Sequence, residues 1–210
     1  MPAFLEVFTE KIRYMNRQYE EMLQAAKKKL KDRMPEDMAI KGNLLYDSKK
    51  QELSFKLFGV QTTISYPDYV ITPEPNMWLA LTVFQYLDEA DGCSLSNELM
   101  SSSDFIDGGL IRGSSFDNEN NKIIREVTEN KSPEELKEAI LKNGGQLIDG
   151  KADLCAKFYF MPNFPIYLNI WFADDEFPSS CKVLFDKSAE HYLKVEAAGT
   201  IVGILLEMLK

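Results

Sequence analysis

The stretch that decides the fold is Leu53–Tyr66, which reads LSFKLFGVQTTISY. Apolar and polar side chains alternate on both sides of Phe58-Gly59, and this alternation is typical of two half-buried β-strands. A two-residue turn at Phe58-Gly59 pairs Leu53 with Ile64 and places the apolar residues of both strands on one face. The sequence therefore predicts a β-hairpin here, with Leu44–Tyr46 as a further strand before it.

A second hairpin is predicted in the C-terminal part of the chain. Its strands are Asp153–Phe160 and Ile166–Phe172, and the five residues Met161–Pro165 form the loop. A five-residue loop aligns the apolar faces of the two strands, whereas a four-residue loop would set them opposed. Cys181–Phe185 is predicted to add a short strand.

Apolar residues at steps of three and four predict the helices that accompany these strands. The predicted helices are Phe4–Lys31, a helix opened by Thr72-Pro73 and stopped near Gly92, a short helix over Asn118–Thr128, a helix from the capping box Ser132–Glu135 to Gly144-Gly145, and Ser188–Leu209. The segment Ser94–Ser115, rich in Ser and Gly, is predicted to be irregular.

These elements follow one another in blocks of strands and blocks of helices, which predicts an α+β fold. We expect a mostly antiparallel sheet built from hairpins and covered by helices, with long N-terminal and C-terminal helices. No repeat and no clear linker divides the chain, so residues 1–210 are interpreted as a single domain.

The composition excludes several classes of protein. The chain has 210 residues with 24 Lys and Arg against 33 Asp and Glu, a net charge of −9, and nucleic-acid binding usually needs a basic face. The longest nearly apolar run, Ala197–Leu206, is too short to span a bilayer. Charged residues within the first 20 argue against a signal peptide. Three scattered cysteines indicate a reducing compartment, so a cytoplasmic location is expected.

The most distinctive motif is Trp171–Pro178, which reads WFADDEFP. Its carboxylates, together with Asp186 and the chain's one histidine, His191, are oxygen and nitrogen ligands suited to a divalent metal. The predicted metal ligands are Asp175, Asp186 and His191. A structural interpretation explains the same residues and is favoured: the acidic run is a solvated turn, and Asp186 or Ser188 caps the last helix.

A second candidate is Gly108–Gly113, where backbone amides and Arg112 could converge on an anion. A plain flexible loop is the favoured alternative. Trp171, Asp175, Glu176 and Arg112 are the predicted ligand-binding residues. No nucleophile has a spacing that marks it as catalytic, and the sequence indicates no particular cofactor.

Most of the chain resembles an uncharacterised domain-of-unknown-function family of anaerobic bacteria and archaea. The resemblance extends from about Leu44 and rests on these motifs: Gly144-Gly145, Gly150 and Asp153, Pro162-x-x-Pro165, Trp171-x-x-Asp174-Asp175-Glu176-Phe177-Pro178, and Leu184-Phe185-Asp186. Some members of that family are fused to a small iron–sulfur domain. This chain has no C-x-x-C and cannot hold such a cluster with the usual spacing. The resemblance implies a connection with metallocofactor metabolism in an anaerobe and implies no reaction.

Three functional hypotheses follow. The first is a non-enzymatic ligand-binding or accessory module that uses the loops Gly108–Phe116 and Trp171–Pro178 to bind a small ligand, a metallocofactor or a protein partner. The second is a metal-dependent hydrolytic enzyme that uses Asp175, Glu176, Asp186 and His191. The third is a structural homodimer with the apolar last helix as its seam. Enzymatic activity is the less favoured interpretation.

Overall fold

The computed structural model describes the backbone of residues 3–210 and the side chains from residue 17 onward. The helices are α1 (Ala3–Leu30), α2 (Pro35–Gly42), α3 (Met77–Glu89), α4 (Gly109–Asn130), α5 (Pro133–Lys142) and α6 (Val195–Met208). The strands are β1 (Leu45–Asp47), β2 (Glu52–Leu57), β3 (Val60–Ser65), β4 (Ile71–Thr72), β5 (Leu99–Ser101), β6 (Gln146–Leu147), β7 (Leu154–Tyr159), β8 (Pro165–Trp171) and β9 (Ser180–Asp186). They form two antiparallel sheets, sheet A in the order β1-β2-β3-β4 and sheet B in the order β5-β9-β8-β7-β6. The predicted α+β class is confirmed.

The first hairpin has the predicted turn and register. Leu53 pairs with Ile64 and Leu57 pairs with Val60 across β2 and β3. Phe58 and Gly59 have φ angles of 46° and 80°, the left-handed backbone that a two-residue hairpin turn requires. The alternation of apolar and polar residues was sufficient to predict this register, because one face of the hairpin is buried.

The second hairpin differs from its prediction by one residue on each strand. Phe158 pairs with Ile166, so the five-residue loop is Phe160–Phe164 and not Met161–Pro165. The apolar faces are aligned as predicted. Phe160 and Phe164 are both fully buried, and the Phe160 amide donates to the Phe164 carbonyl at 3.1 Å. The loop therefore lies one residue earlier in the chain than predicted, and Pro165 belongs to β8.

The helix predicted to open at Thr72-Pro73 begins at Met77 instead. Thr72 belongs to β4, where it pairs with Thr63. Asn76 is the cap, and its Oδ1 accepts from the Leu79 amide at 2.9 Å. An amide side chain at the N-cap satisfies an otherwise unpaired donor, and this local bond sets the start of α3.

A helix covers Asn118–Thr128 as predicted, but the predicted irregular segment up to Ser115 is wrong in its last part. Helix α4 already begins at Gly109 and runs for 22 residues. A Cβ atom at Gly113 would lie 2.3 Å from the Ser103 Oγ, so this glycine permits a close contact between α4 and the preceding 3₁₀ turn, Ser102–Asp104. Glycine there indicates packing and not flexibility.

Helix α4 runs along the part of β9 that β5 does not reach. Strand β5 pairs with β9 at residues 184–186. Beyond that point, Asn121 Oδ1 accepts from the Cys181 amide at 2.7 Å, and Arg125 Nε donates to the Ser179 carbonyl at 3.2 Å. Side chains of α4 thus make hydrogen bonds to the backbone here that a neighbouring strand would otherwise make.

The predicted closing helix is divided in two. A 3₁₀ segment covers Lys187–His191, and α6 follows after a break. The apolar face of α6 is buried within the chain, and Gly199 packs against the Phe116 ring of α4. Buried residues of both sheets belong to one hydrophobic cluster, and the Phe58 amide bonds the Phe160 carbonyl across the sheets. The single-domain interpretation stays a prediction.

Candidate functional site

The structure places the predicted site residues at opposite ends of β9. The loop with Asp175 and Glu176 precedes β9, whereas Asp186 ends it and His191 follows in the 3₁₀ segment. A strand of seven residues is about 20 Å long, so Asp175 is far from Asp186 and His191. Arg112 is likewise separated from Trp171, because Arg125, which contacts the Ser179 end, lies about 20 Å further along α4.

The acidic run at the first end of β9 forms a closed turn. Asp174 Oδ1 accepts from the Glu176 amide at 2.9 Å and from the Phe177 amide at 2.7 Å. The Asp174 amide donates to the Phe177 carbonyl at 3.0 Å. The Phe177 and Glu176 amides lower the pKa of the Asp174 carboxyl. Asp175, Glu176 and Phe177 project into solvent from this turn.

At the other end, the Asp186 side chain is buried and receives four hydrogen bonds. The donors are the Ser96 amide (2.9 Å), the Ser96 hydroxyl (2.8 Å), the Asn97 amide (2.8 Å) and the Ser188 amide (2.9 Å). Burial alone would raise the pKa of Asp186, but these bonds outweigh it and lower the pKa to about 2. The carboxylate caps the 3₁₀ segment and also fixes the chain before β5.

His191 forms an exposed pair with Asp91, a residue from the segment that follows α3. The distance from His191 Nδ1 to Asp91 Oδ2 is 2.7 Å, and Asp91 Oδ1 accepts from the Cys93 amide at 2.9 Å. The hydrogen bond from His191 lowers the pKa of Asp91. Because a carboxylate accepts, Nδ1 carries a proton, and Nε2 is an acceptor when the ring is neutral.

Beneath this pair, a network of hydrogen bonds joins several elements. The Tyr192 hydroxyl donates to the Cys93 carbonyl and accepts from Asn163 Nδ2 at 2.7 Å. The Tyr192 ring stacks on Tyr86 with 5.0 Å between centroids, and the Tyr86 hydroxyl donates to the Gly42 carbonyl at 2.9 Å. Burial, followed by the charges of Asp91 and Asp186, raises the pKa of Cys93, so this thiol is not activated as a nucleophile.

A cavity of about 350 Å³ adjoins His191, within the size range of small-molecule sites. It is lined by Glu89, Phe105, Ile106, Asp107, Glu190, His191, Leu193 and Lys194. Glu190 Oε1 accepts from the Ile106 amide at 2.5 Å, and Lys194 Nζ lies 4.0 Å from Asp107. The Glu89 carboxylate has no ion-pair partner within the described part of the chain. We call this space the His191 cavity.

A larger cavity of about 680 Å³ lies between α1, β4 and α3. It is lined by Tyr19, Glu20, Leu23, Lys27, Tyr69, Val70, Ile71, Thr72, Glu74, Pro75, Met77, Ala80 and Phe84. Aromatic and apolar side chains line it together with the charged side chains of Glu20, Lys27 and Glu74. We call it the α1 cavity.

The described residues contain no group of three or more His, Cys, Asp or Glu side chains that could hold a metal ion. The Asp186 carboxylate already accepts four hydrogen bonds, and His191 is paired with Asp91. The structure does not bring Asp175 to either of them, and metal binding by these three residues stays a prediction. Between residues 3 and 210, no helix is both long and apolar enough to cross a bilayer.

Residues 34–208 match the family model described as a domain of unknown function, DUF3786. The chain belongs to this family. No curated protein and no solved structure matches it. The DUF3786 match includes every residue of the His191 cavity, whereas the α1 residues of the α1 cavity precede it. The His191 cavity is therefore the candidate functional site of the DUF3786 part.

Sequence analysis identified His191 and missed the residues around it. Asp91 is 100 positions away from His191, and Asp-Gly after a helix reads as an ordinary stop. Glu89 is one of many acidic residues in the sequence. Nothing short of the tertiary fold brings the end of α3 next to the 3₁₀ segment.

Proposed function

We propose that this protein is a non-enzymatic ligand-binding module whose ligand is a small organic cation held in the His191 cavity. The supporting observation is a pair of acceptors, the Glu89 carboxylate and His191 Nε2, that have no partner among the described side chains and lie beside a cavity with the buried apolar residues Phe105 and Leu193. Primary ammonium and guanidinium groups have several N–H donors and match such acceptors.

The surrounding charge supports a cation over an anion. Three carboxylates line the cavity against one lysine, and that lysine lies beside Asp107. The whole chain has a net charge of −9. A concave acidic surface raises the local concentration of cations and accelerates their association. The apolar floor favours a cation that also has a short hydrocarbon body.

The test compares four probes with a short unbranched hydrocarbon chain and different head groups: n-butylammonium, n-butylguanidinium, 1-butanol and butyrate. We expect saturable binding of the two cations by calorimetry, with a matching rise in the thermal midpoint. Glu89→Gln should weaken their binding about tenfold or more, since an ion pair and its hydrogen bond are lost. His191→Asn should also weaken it, and Glu138→Gln, a change at an exposed carboxylate of α5, is the control. Equal binding of butyrate, or unchanged affinity in Glu89→Gln, would contradict the proposal.

A second candidate is hydrolytic activity at the same place, favoured by the 2.7 Å contact between Asp91 and His191. A carboxylate that orients an imidazole is the usual arrangement of a general base. Asp91→Asn would then reduce hydrolysis of an activated ester such as p-nitrophenyl acetate. Retention of full activity in that variant would exclude this role.

A cytoplasmic location, an anaerobic source, a link to metallocofactor metabolism, homodimer formation and the absence of nucleic-acid binding stay predictions. The seam predicted on the last helix faces the interior, because the apolar side of α6 packs within the chain.

A further inference from the structure

The α1 cavity is separate from the His191 cavity and has different chemistry. Its walls include three aromatic rings, Tyr19, Tyr69 and Phe84. The Tyr69 hydroxyl is already used, since it donates to the Leu30 carbonyl at 2.7 Å. These rings therefore offer an occupant apolar surface, beside the charged side chains that also line the cavity.

One cation, Lys27, lines this cavity. Its Nζ donates to the Asp68 carbonyl at 3.2 Å and lies 5.6 Å from the centre of the Phe84 ring. Burial lowers the pKa of Lys27, although the Asp68 charge opposes this. Among the described side chains, no carboxylate oxygen lies within 4 Å of its Nζ. A partly desolvated ammonium with a carbonyl and a ring as neighbours retains capacity for an anionic partner.

We propose that the α1 cavity binds an organic anion with an aromatic or branched apolar body. The anionic group pairs with Lys27, and the body lies against the aromatic walls. Glu20 and Glu74 also line the cavity, and their exposed carboxylates oppose an anion, although water and salt weaken this repulsion. They disfavour small hydrophilic anions, which lack apolar surface to compensate for this repulsion.

The position of α1 makes this site additional to the proposed function. Four lining residues, Tyr19, Glu20, Leu23 and Lys27, come from α1 and precede the part matched by the family. The site does not share a lining residue with the His191 cavity. Failure of one proposal therefore leaves the other intact.

The experiment uses two probes that share one scaffold. 8-Anilinonaphthalene-1-sulfonate is an aromatic anion, and N-phenyl-1-naphthylamine is the same scaffold without the sulfonate. Both are titrated into the full chain in a Trp171→Phe background. Trp78 then reports binding by energy transfer, because its ring lies 6.4 Å from Tyr19 at the cavity.

We expect the anionic probe to bind more tightly than the neutral one. Lys27→Met keeps the apolar stem and should reduce affinity for the anionic probe about tenfold, with little change for the neutral probe. Val70→Phe, at a half-exposed lining residue, should weaken both probes by narrowing the cavity. Lys56→Met, at an exposed lysine of β2, is the matched control and should change neither.

Two results would overturn the proposal. One is equal affinity for the anionic probe in wild type and Lys27→Met. The other is unchanged binding of both probes in Val70→Phe, which would place them elsewhere. Circular dichroism of each variant excludes binding to a partly unfolded chain, since such states also bind the anionic probe.

Discussion

The two ends of β9 both have acidic residues, but their hydrogen bonds come from different distances along the chain. At the first end, Asp174 bonds the amides of Glu176 and Phe177, two and three residues away. At the second end, Asp186 bonds Ser96 and Asn97, about 90 residues away. The first end is a local turn, whereas the second joins distant segments. Two similar carboxylates thus differ in how distant the parts of the chain are that they hold together.

The largest effect is expected from Asp186→Ala. The variant removes the shared acceptor of the buried Ser188 amide and of the part-buried bonds from Ser96 and Asn97, and we expect a loss of about 2–4 kcal/mol in the free energy of unfolding. Urea denaturation measures it. Asp186→Asn keeps one oxygen and the volume, and should lose less. A loss below that of an ordinary helix cap, about 0.5 kcal/mol, would show that the two ends do not differ as described.

Tyr192→Phe is expected to have the next largest effect on the free energy of unfolding. It removes the hydroxyl that bonds Asn163 and the Cys93 carbonyl, and the expected loss is about 1–2 kcal/mol. Tyr46→Phe, at a partly buried tyrosine of β1, is the control and should change little. If both variants unfold at the same urea concentration, the network beneath His191 does not hold the second end together.

The pH dependence of stability should also distinguish the two ends of β9. Asp186 has a folded pKa of about 2, below the value of about 3.9 for an unfolded aspartate. Its contribution is therefore fully present above about pH 5 and is lost as the pH falls towards 2. The stability gap between wild type and Asp186→Asn should narrow across that range. A gap that is the same at pH 6 and pH 2.5 would be inconsistent with this assignment.

Asp174→Ala should have a smaller effect than any of these. The turn is exposed, and water can satisfy the Glu176 and Phe177 amides once the carboxylate is gone. We expect a thermal midpoint close to that of wild type. A loss as large as that of Asp186→Ala would mean that the loop has an unrecognised structural role.

If residues 1–210 are a single domain, two tryptophan reporters should show the same urea unfolding transition. Trp78 lies in α3 and Trp171 at the end of β8. Trp78→Phe and Trp171→Phe each leave one reporter, and their urea transitions should coincide in midpoint and slope after correction for each variant's stability. Two separate transitions would divide the chain into independent units.

The sequence predicted well the features that depend on neighbours in the chain. The hairpin around Phe58-Gly59, the capping box at Ser132 and the turn at Asp174 all follow from short patterns. Its errors fell where distant residues decide the outcome. Helix α4 begins at Gly109 because glycines there approach Ser103, and a run of glycine and serine alone resembles a loop.

The candidate site was less predictable for the same reason. His191 was noticed as the chain's one histidine, yet its partner Asp91 and the nearby Glu89 have no distinguishing pattern. Their closeness in sequence predicts that Asp175 and Asp186 belong to one site. An extended strand between them places them far apart, so sequence proximity across β9 was misleading.

The contact between α4 and β9 has a consequence for behaviour at high concentration. Strands with unpaired backbone groups recruit strands from other molecules and so start aggregation. Asn121 and Arg125 occupy the backbone amide of Cys181 and the carbonyl of Ser179 with side chains, which cannot extend a ladder of strands. Helix α4 thus protects this part of β9 against pairing with a strand of another molecule, also when the native state is crowded by its own copies.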